Sequence, residues 1–514
     1  MGMAVAEQAD DPEVIIVGAG PTGLALACDL ARRQIRFLIL DKSAEPFTGS
    51  RGKGVQPRTQ EVFDDLGVIG ALLAAGAPYP RMKAHLWLFS LKWRMHKAVQ
   101  ATLDVPYPNI LLVPQWRTEQ VLRDRLEALG GRVLQGAEII GLTQDDSGVT
   151  LQLNDAGESR VLRARYVVAA DGGRSFVRKS LGVGFAGTTT DEGRMIVGDL
   201  QVDGLSRDFW HVWPTASAGP IALCPLPHSD LFQLMMPLRA SEEPPYLSEQ
   251  TIQARWIAAT GLKKIRLHDP AWLSLFRPNV RLVDRYRVGR VFLAGDAAHV
   301  HTPAGAQGLN TGIQDAYNLA WKLALVLKGA PDRLLDTYQE ERLPIAAAVL
   351  GLSTQLYQSY QSGVMPSLKR GDTERQLLLN YRGSSLATEV GTAAEGLRAG
   401  DRAPDGIGEG RSGRVRLFDL YRGTHFTLLA FGARAIADVR EMNRANLQIF
   451  AVRHEAPVAD ERALADTNGN IHESYGVRDD DHVVFLVRPD GYIGLVARKS
   501  WKEAVQTYFT LIFG

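Results

Sequence analysis

Between residues 14 and 41 the chain runs strand, glycine loop, helix, strand, acid. Val14-Ile15-Ile16-Val17 is a short β-branched run and reads as a buried parallel strand. It leads directly into Gly18-Ala19-Gly20-Pro21-Thr22-Gly23. Residues 24–33 read as a helix whose apolar stripe is Leu24, Leu26, Ala27, Leu30 and Ala31. Arg36-Phe37-Leu38-Ile39-Leu40 reads as a second strand, ending at Asp41 and Lys42. Each piece has a physical task. Gly18 permits a tight turn, Gly20 lets a pyrophosphate approach the backbone, and Gly23 lets helix and strand pack closely. The start of the helix offers free N–H groups and a positive dipole end to phosphates. Asp41, 18 residues beyond Gly23, is spaced to accept hydrogen bonds from adenosine ribose hydroxyls. The unit is therefore expected to bind a dinucleotide.

The glycine pattern carries weight only in that setting. It recurs at Gly182-Val183-Gly184-Phe185-Ala186-Gly187 and at Gly408-Glu409-Gly410-Arg411-Ser412-Gly413. Neither copy follows a strand and opens a helix, so both read as chance matches in loops. Two later segments add to the first. Tyr166-Val167-Val168-Ala169-Ala170 reads as a buried strand ending in Asp171-Gly172-Gly173-Arg174-Ser175-Phe176-Val177-Arg178. Arg290-Val291-Phe292-Leu293-Ala294 reads as another, ending in Gly295-Asp296-Ala297-Ala298-His299. Ligands of an open parallel sheet sit beyond the carboxyl ends of its strands, where both acids fall. Taken singly, either aspartate has a helix N-cap as its lesser alternative reading.

The order of these motifs resembles the single-component, class A FAD-dependent monooxygenases, which include phenol hydroxylase and the aromatic polyketide hydroxylases. The Asp-Gly-x-x-Ser-x-x-Arg segment at Asp171, Gly172, Ser175 and Arg178 matches. So do Gly295-Asp296 and Pro303-Ala304-Gly305-Ala306-Gln307-Gly308-Leu309-Asn310. The resemblance implies FAD as cofactor and NADPH or NADH as reductant. It implies that Asp296 binds the ribityl chain and that Asp171 sits near the pyrophosphate and the nicotinamide route. Arg51, in Ser50-Arg51-Gly52-Lys53-Gly54-Val55, matches an arginine loop that contacts FAD, and Gln115 matches a glutamine that reaches it. Pro303 and the backbone of Gly308, Leu309 and Asn310 would border the isoalloxazine ring. Residues 312–327 read as a helix whose start would face the flavin N1–C2 edge, where a reduced flavin carries negative charge. The implied chemistry is hydroxylation of a phenolic or polycyclic aromatic substrate by O₂, through a C4a-hydroperoxyflavin. A Baeyer–Villiger-type insertion or other oxidative rearrangement is an alternative outcome on the same scaffold, and a flavin-binding redox sensor is another.

A chain of 514 residues leaves room for about three domains. The expected fold is α/β. A discontinuous Rossmann-like FAD-binding domain (1–184 and 286–400) carries an inserted, mainly antiparallel β substrate domain (185–285), with a thioredoxin-like domain at 401–514. In the middle segment, Phe209-Trp210-His211-Val212-Trp213 and Leu231-Phe232-Gln233-Leu234-Met235-Met236 read as strands. His211, Trp213 and Met235, with Pro303, are candidate substrate contacts; no catalytic acid or base is assigned. The charge cluster at 333–342 reads as a surface helix leading to Pro344. In the last segment Pro489-Asp490-Gly491 reads as a hairpin turn. That segment holds no cysteine, so thiol redox chemistry there is excluded.

Composition narrows the partners. The net charge is +1 with no long basic or acidic run, so neither nucleic acid nor a membrane surface is expected as a partner. Cys28 and Cys224 are the only cysteines; they read as core residues, leave no metal spacing, and fit the cytoplasm. The N-terminus lacks a signal-peptide pattern and no run of about 18 apolar residues occurs. A homodimer is an open expectation.

Overall fold

The parallel core is built on β-branched runs buried on both faces. In a computed structural model, Val14–Val17 (β1) and Phe37–Asp41 (β2) lie in a six-stranded sheet. Its order is Arg287–Val288, Val291–Leu293, Tyr166–Ala169, β1, β2, Val133–Gln135. Every pairing is parallel except at the Arg287–Val288 edge. The structure describes residues 12–86, 89–95, 97–155, 157–214, 216, 219–302, 306–361, 373–392, 396–455 and 460–514. Pro303, with Ala304 and Gly305, lies outside the described residues.

Helix Pro21–Arg32 (α1) returns from β1 and packs against helices Gln115–Ala128 and Gly308–Leu327. The last is buried almost throughout, its polar residues Asn310, Gln314, Asp315, Asn318 and Lys322 included. It begins four residues before the predicted start, so Gly308, Leu309 and Asn310 form its first turn. A three-stranded antiparallel sheet, Ala137–Gln144, Val149–Asp155 and Glu158–Ala164, flanks this layer.

The middle of the chain forms a seven-stranded sheet with one face covered by helix Glu249–Thr260. Residues 185–285 do not build it alone. Arg81–Leu86 and Phe89–Trp93 supply its last two strands, and Arg81–Leu86 pairs in parallel with Phe209–Trp213. The final part is an eight-stranded mixed sheet. Within it Phe426–Phe431 pairs in parallel with Leu447–Arg453 and antiparallel with Val483–Val487, which turns back into Ile493–Ala497. Gly491, at φ +73°, makes the predicted turn. The glycine-rich copy at 408–413 belongs to a hairpin, Ile407–Gly410 with Gly413–Arg416, rather than to a loop; it opens no helix.

The surface-helix reading of 333–342 is overturned. Tyr338 and Arg342 are fully buried, Glu341 nearly so, and helix Asp336–Gln361 runs through Pro344. Charges from distant segments pair these groups, a fact a local charge count cannot register. No helix among the described residues is long and apolar enough to cross a membrane.

Candidate active site

The glycine loop takes the shape its sequence demands. Gly18 has φ +102°, and a side chain there would strike the Ala170 carbonyl at the end of the neighbouring strand. A methyl group at Gly23 would overlap the Gly18 carbonyl oxygen. Gly20 differs: nothing lies within 4 Å of the position its Cβ would take. The loop is thus closed on its packing side and open where a phosphate would approach. Pro21 begins α1, whose first turn carries no acidic residue and no side-chain cap. Asp41 Oδ2 accepts from the Ala19 N–H at 2.8 Å and Oδ1 from the Ser43 N–H at 2.9 Å, so this carboxylate braces the loop. Lys42 beside it is exposed.

The two aspartate motifs meet at the same edge. Asp171 Oδ2 accepts from the N–H groups of Phe176 (2.8 Å) and Val177 (3.2 Å), while its Oδ1 is buried without a partner. One oxygen thus braces the start of helix Phe176–Ser180, whose N-cap is Ser175, and the other is unsatisfied. Arg178 donates to the carbonyls of Gly173 and Ala297, each at 2.9 Å, tying the first aspartate motif to the second. Thr22 packs against both Gly295 and Gly312, where side chains would clash with its hydroxyl. Asp296 is exposed although it lies deep among protein atoms, as a cleft-lining residue does. Burial raises its carboxyl pKa, opposed by His299 and Arg51.

The arginine loop closes the other side. The Gly52 N–H donates to Gln115 Oε1 at 3.0 Å, and Leu309 sits 3.2 Å from where a Gly52 Cβ would be. Asn310 Oδ1 accepts from the Gln56 N–H at 2.8 Å, and its amide donates to Gly54 O at 2.8 Å. Arg51 itself is exposed and stacks on Phe47 (5.1 Å) and Trp272 (5.7 Å). Gly18 and Asp171, Thr22 and Gly295, Asp296 and Arg51, and Gly52 and Gln115 are thus neighbours in pairs, and Gly52 also meets Leu309 in the first turn of Gly308–Leu327. The open glycine loop, the unsatisfied Asp171 oxygen and the uncapped helix starts fit an FAD molecule.

Known proteins resemble the chain over most of its length. Residues 11–353 match the FAD binding domain family, and residues 433–513 match the phenol hydroxylase C-terminal dimerisation domain. The chain belongs to the FAD-dependent aromatic monooxygenases. It is 45% identical over 496 residues to a flavin-dependent monooxygenase of Mycobacteroides abscessus, covering 95% of this chain and 97% of that protein. It is 34% identical to the 6-methylpretetramide 4-monooxygenase of Streptomyces rimosus, covering 96% and 92%. The solved ternary complex of aklavinone-11 hydroxylase with FAD and aklavinone superposes at a TM-score of 0.80 with 26% identity, covering 99% and 100%.

In this monooxygenase the sheet presents its uncovered face to the arginine loop. Asp199 accepts from the Ser50 backbone N–H at 2.7 Å and from its hydroxyl, and Gln233 donates to Ser50. Trp272 meets Phe47, and Lys53 lies over Trp210. Side chains alternate along strands, so Met235 shares the face of Gln233, and Val212 that of Trp210. His211 and Trp213 point the other way. Trp213 packs edge-on against Trp256 of the covering helix at 4.7 Å, and His211 is held by Ser206 O (2.7 Å) and His85 (2.8 Å). Of the sequence-nominated substrate contacts in described positions, the structure brings Met235 to the loop side and leaves His211 and Trp213 in the sheet's own core. A count by two from Met235 and its paired residues could have shown this, once the pairing was known. Sequence reading also missed Ser50, Asp199 and Gln233, whose clamp spans 149 residues or more.

Proposed function

We propose that this enzyme hydroxylates a phenolic or polycyclic aromatic substrate, using FAD, O₂ and NADPH or NADH. The observation that carries the reading is the clamping of one apolar and aromatic sheet face, with Met235, Val212 and Trp210, directly onto the loop that borders the cofactor cleft. A planar molecule on that face would lie against the cofactor. Relatives named for 6-methylpretetramide and aklavinone support a polycyclic substrate.

Bound FAD would supply the redox and oxygen-transfer chemistry. The protein's part is binding, orientation and exclusion of water. The glycine loop and the start of α1 would hold the pyrophosphate. Asp41 and Lys42 would flank the ribose, and Asp296 would hold the ribityl chain. Asp171 would stand beside the pyrophosphate. The first turn at Gly308, Leu309 and Asn310 would stabilise negative charge at the flavin N1–C2 edge. On this reading 1–184 with 286–400 bind FAD and 185–285 bears the substrate face, extended by the strands at 81–93. The parallel pair and antiparallel hairpin after residue 401 support a thioredoxin-like unit, and the dimerisation-domain match supports a homodimer.

The test is the visible spectrum of the purified protein, then NADPH and NADH consumption with a panel of phenols under ¹⁸O₂. A flavin spectrum, substrate-stimulated consumption and one labelled oxygen in a ring hydroxyl are expected. A label inserted between ring carbons would assign the oxidative-rearrangement outcome instead. No flavin after reconstitution would overturn the reading.

A further inference from the structure

Lys53 stands at the junction between the cofactor cleft and the sheet. Its neighbours Gly52 and Gly54 contact Leu309 and Ala306, and its own carbonyl accepts from the Val113 N–H at 2.9 Å. The side chain leaves the loop toward the sheet, where Nζ lies 4.1 Å from the centroid of the Trp210 ring. The residue is only 9% exposed, and no nitrogen or oxygen acceptor reaches Nζ. Trp210 Nε1, on that same ring, is also a buried donor without a partner. The titratable groups facing Lys53 are Cys224 and Asp199. Burial raises the Cys224 thiol, which keeps it neutral, and the Asp199 carboxylate is already occupied by Ser50. Burial lowers the Lys53 pKa, against Cys224 and Asp199, and an indole face offsets only part of the cost of burying an ammonium.

We propose that Lys53 is the polar anchor for the substrate, pairing its ammonium with an anionic phenolate or enolate oxygen of an aromatic ring lying on the Trp210–Met235 face. This rests on the hydroxylase reading above. Lysine's flexible four-carbon stem lets the ammonium leave the indole face for an oxygen without moving the loop. The phenol O–H breaks and its proton passes to solvent; no covalent bond forms to the protein. An ionised ring is richer in electrons and so more open to electrophilic oxygen.

The FAD-loaded enzyme, Lys53→Met and Lys53→Arg would be titrated with 4-nitrophenol and with 4-nitroanisole, its neutral analogue. The phenolate absorbance band reports ionisation of the bound phenol. The wild type is expected to favour the phenol and to ionise it at lower pH than water does. Lys53→Met should lose about ten- to a hundred-fold in phenolate affinity, the worth of a hydrogen bond to a charged group. Anisole binding should not change, and Lys53→Arg should restore part of the loss. Equal weakening toward both probes would assign Lys53 a purely structural role and overturn the proposal, as would a wild type with no preference for the phenolate. Unaltered phenol-stimulated NAD(P)H oxidation in Lys53→Met would sink the anchor and leave the hydroxylase reading standing. A wild type that neither binds nor is stimulated by any phenol would sink both.

Discussion

Gly20 and Gly23 look alike in the sequence but do different work. Gly23 is needed by the protein itself, because any side chain would meet the Gly18 carbonyl. Gly20 has normal backbone angles (φ −74°) and free space around it, so alanine fits the protein there and obstructs only a ligand. Gly20→Ala should therefore keep the thermal midpoint of the cofactor-free protein while lowering FAD affinity at least tenfold; Gly23→Ala should lower both, as calorimetry and flavin fluorescence would measure. Glu119 makes a second residue-scale prediction. Burial pushes its carboxyl up to about 7, against the Gln115 hydrogen bond, Arg123 and Arg51. The folded state thus holds this proton more tightly than the unfolded chain, whose value is near 4.5. The stability it contributes is complete below about pH 4.5 and is lost as pH rises through about 7, on the order of 3 kcal/mol. Relative to Glu119→Gln, the wild-type melting temperature should fall across that window. A constant difference would show that Glu119 titrates normally.

At the scale of elements, helix Gly308–Leu327 holds the site together through Asp315. Its carboxylate accepts from the Gly295 N–H (3.0 Å), His299 (2.8 Å) and Arg342 (2.7 Å), all buried. Burial alone would raise the Asp315 carboxyl, but Arg342 and His299 outweigh it and hold it below its usual value. Arg342 in turn reaches Thr311 O and the Tyr381 hydroxyl. One side chain thereby fixes the Gly295–Asp296 turn against the helix start. Removing it strands a buried guanidinium. Asp315→Ala should cost about 3–5 kcal/mol in chemical denaturation. The double variant with Arg342→Met should cost less than the sum of the two single changes. Additive losses would show that the pair is not coupled.

Across the whole molecule, the turn at Arg488–Asp490 is locked by buried charge to helices Gly308–Leu327 and Asp336–Gln361. Arg488 pairs with both Glu341 and Asp490; Glu341 also receives Lys322 (2.7 Å) and Asn318 (2.7 Å), and Asp490 receives Trp321 (3.1 Å). Burial opposes ionisation of Glu341, yet Arg488 and Lys322 hold it well below the usual carboxylate range. Beside this cluster, Arg402 and Arg58 share Glu61, and Arg58 also donates to the Asp490 carbonyl at 2.8 Å. Arg488→Met should destabilise the protein by about 3–5 kcal/mol and speed proteolytic cleavage between the halves. Wild-type cleavage rates in that variant would show that packing, not charge, joins them.

Much of this was legible beforehand. The βαβ unit, the two aspartate motifs, the closing hairpin and most strands are local patterns: β-branched runs, glycines at turns, and periodicities of two or 3.6 set by bonds between near neighbours. Composition and spacing also determined that the chain would carry a dinucleotide-type cofactor site. The tertiary structure alone decided which face of the seven-stranded sheet meets the arginine loop, because alternation defines two faces but not which one a helix will cover. It alone recruited residues 81–93 to that sheet, turned Asp41 inward to brace the loop, and buried Glu341 and Arg342 in what reads as a solvated stretch. Those outcomes depend on partners outside the local pattern, from Ala19 for Asp41, 22 residues away, to Arg488 for Glu341 and Asp199 for Ser50, 147 and 149 residues away. A charge or a hydroxyl in a sequence does not state its partner; the fold supplies it.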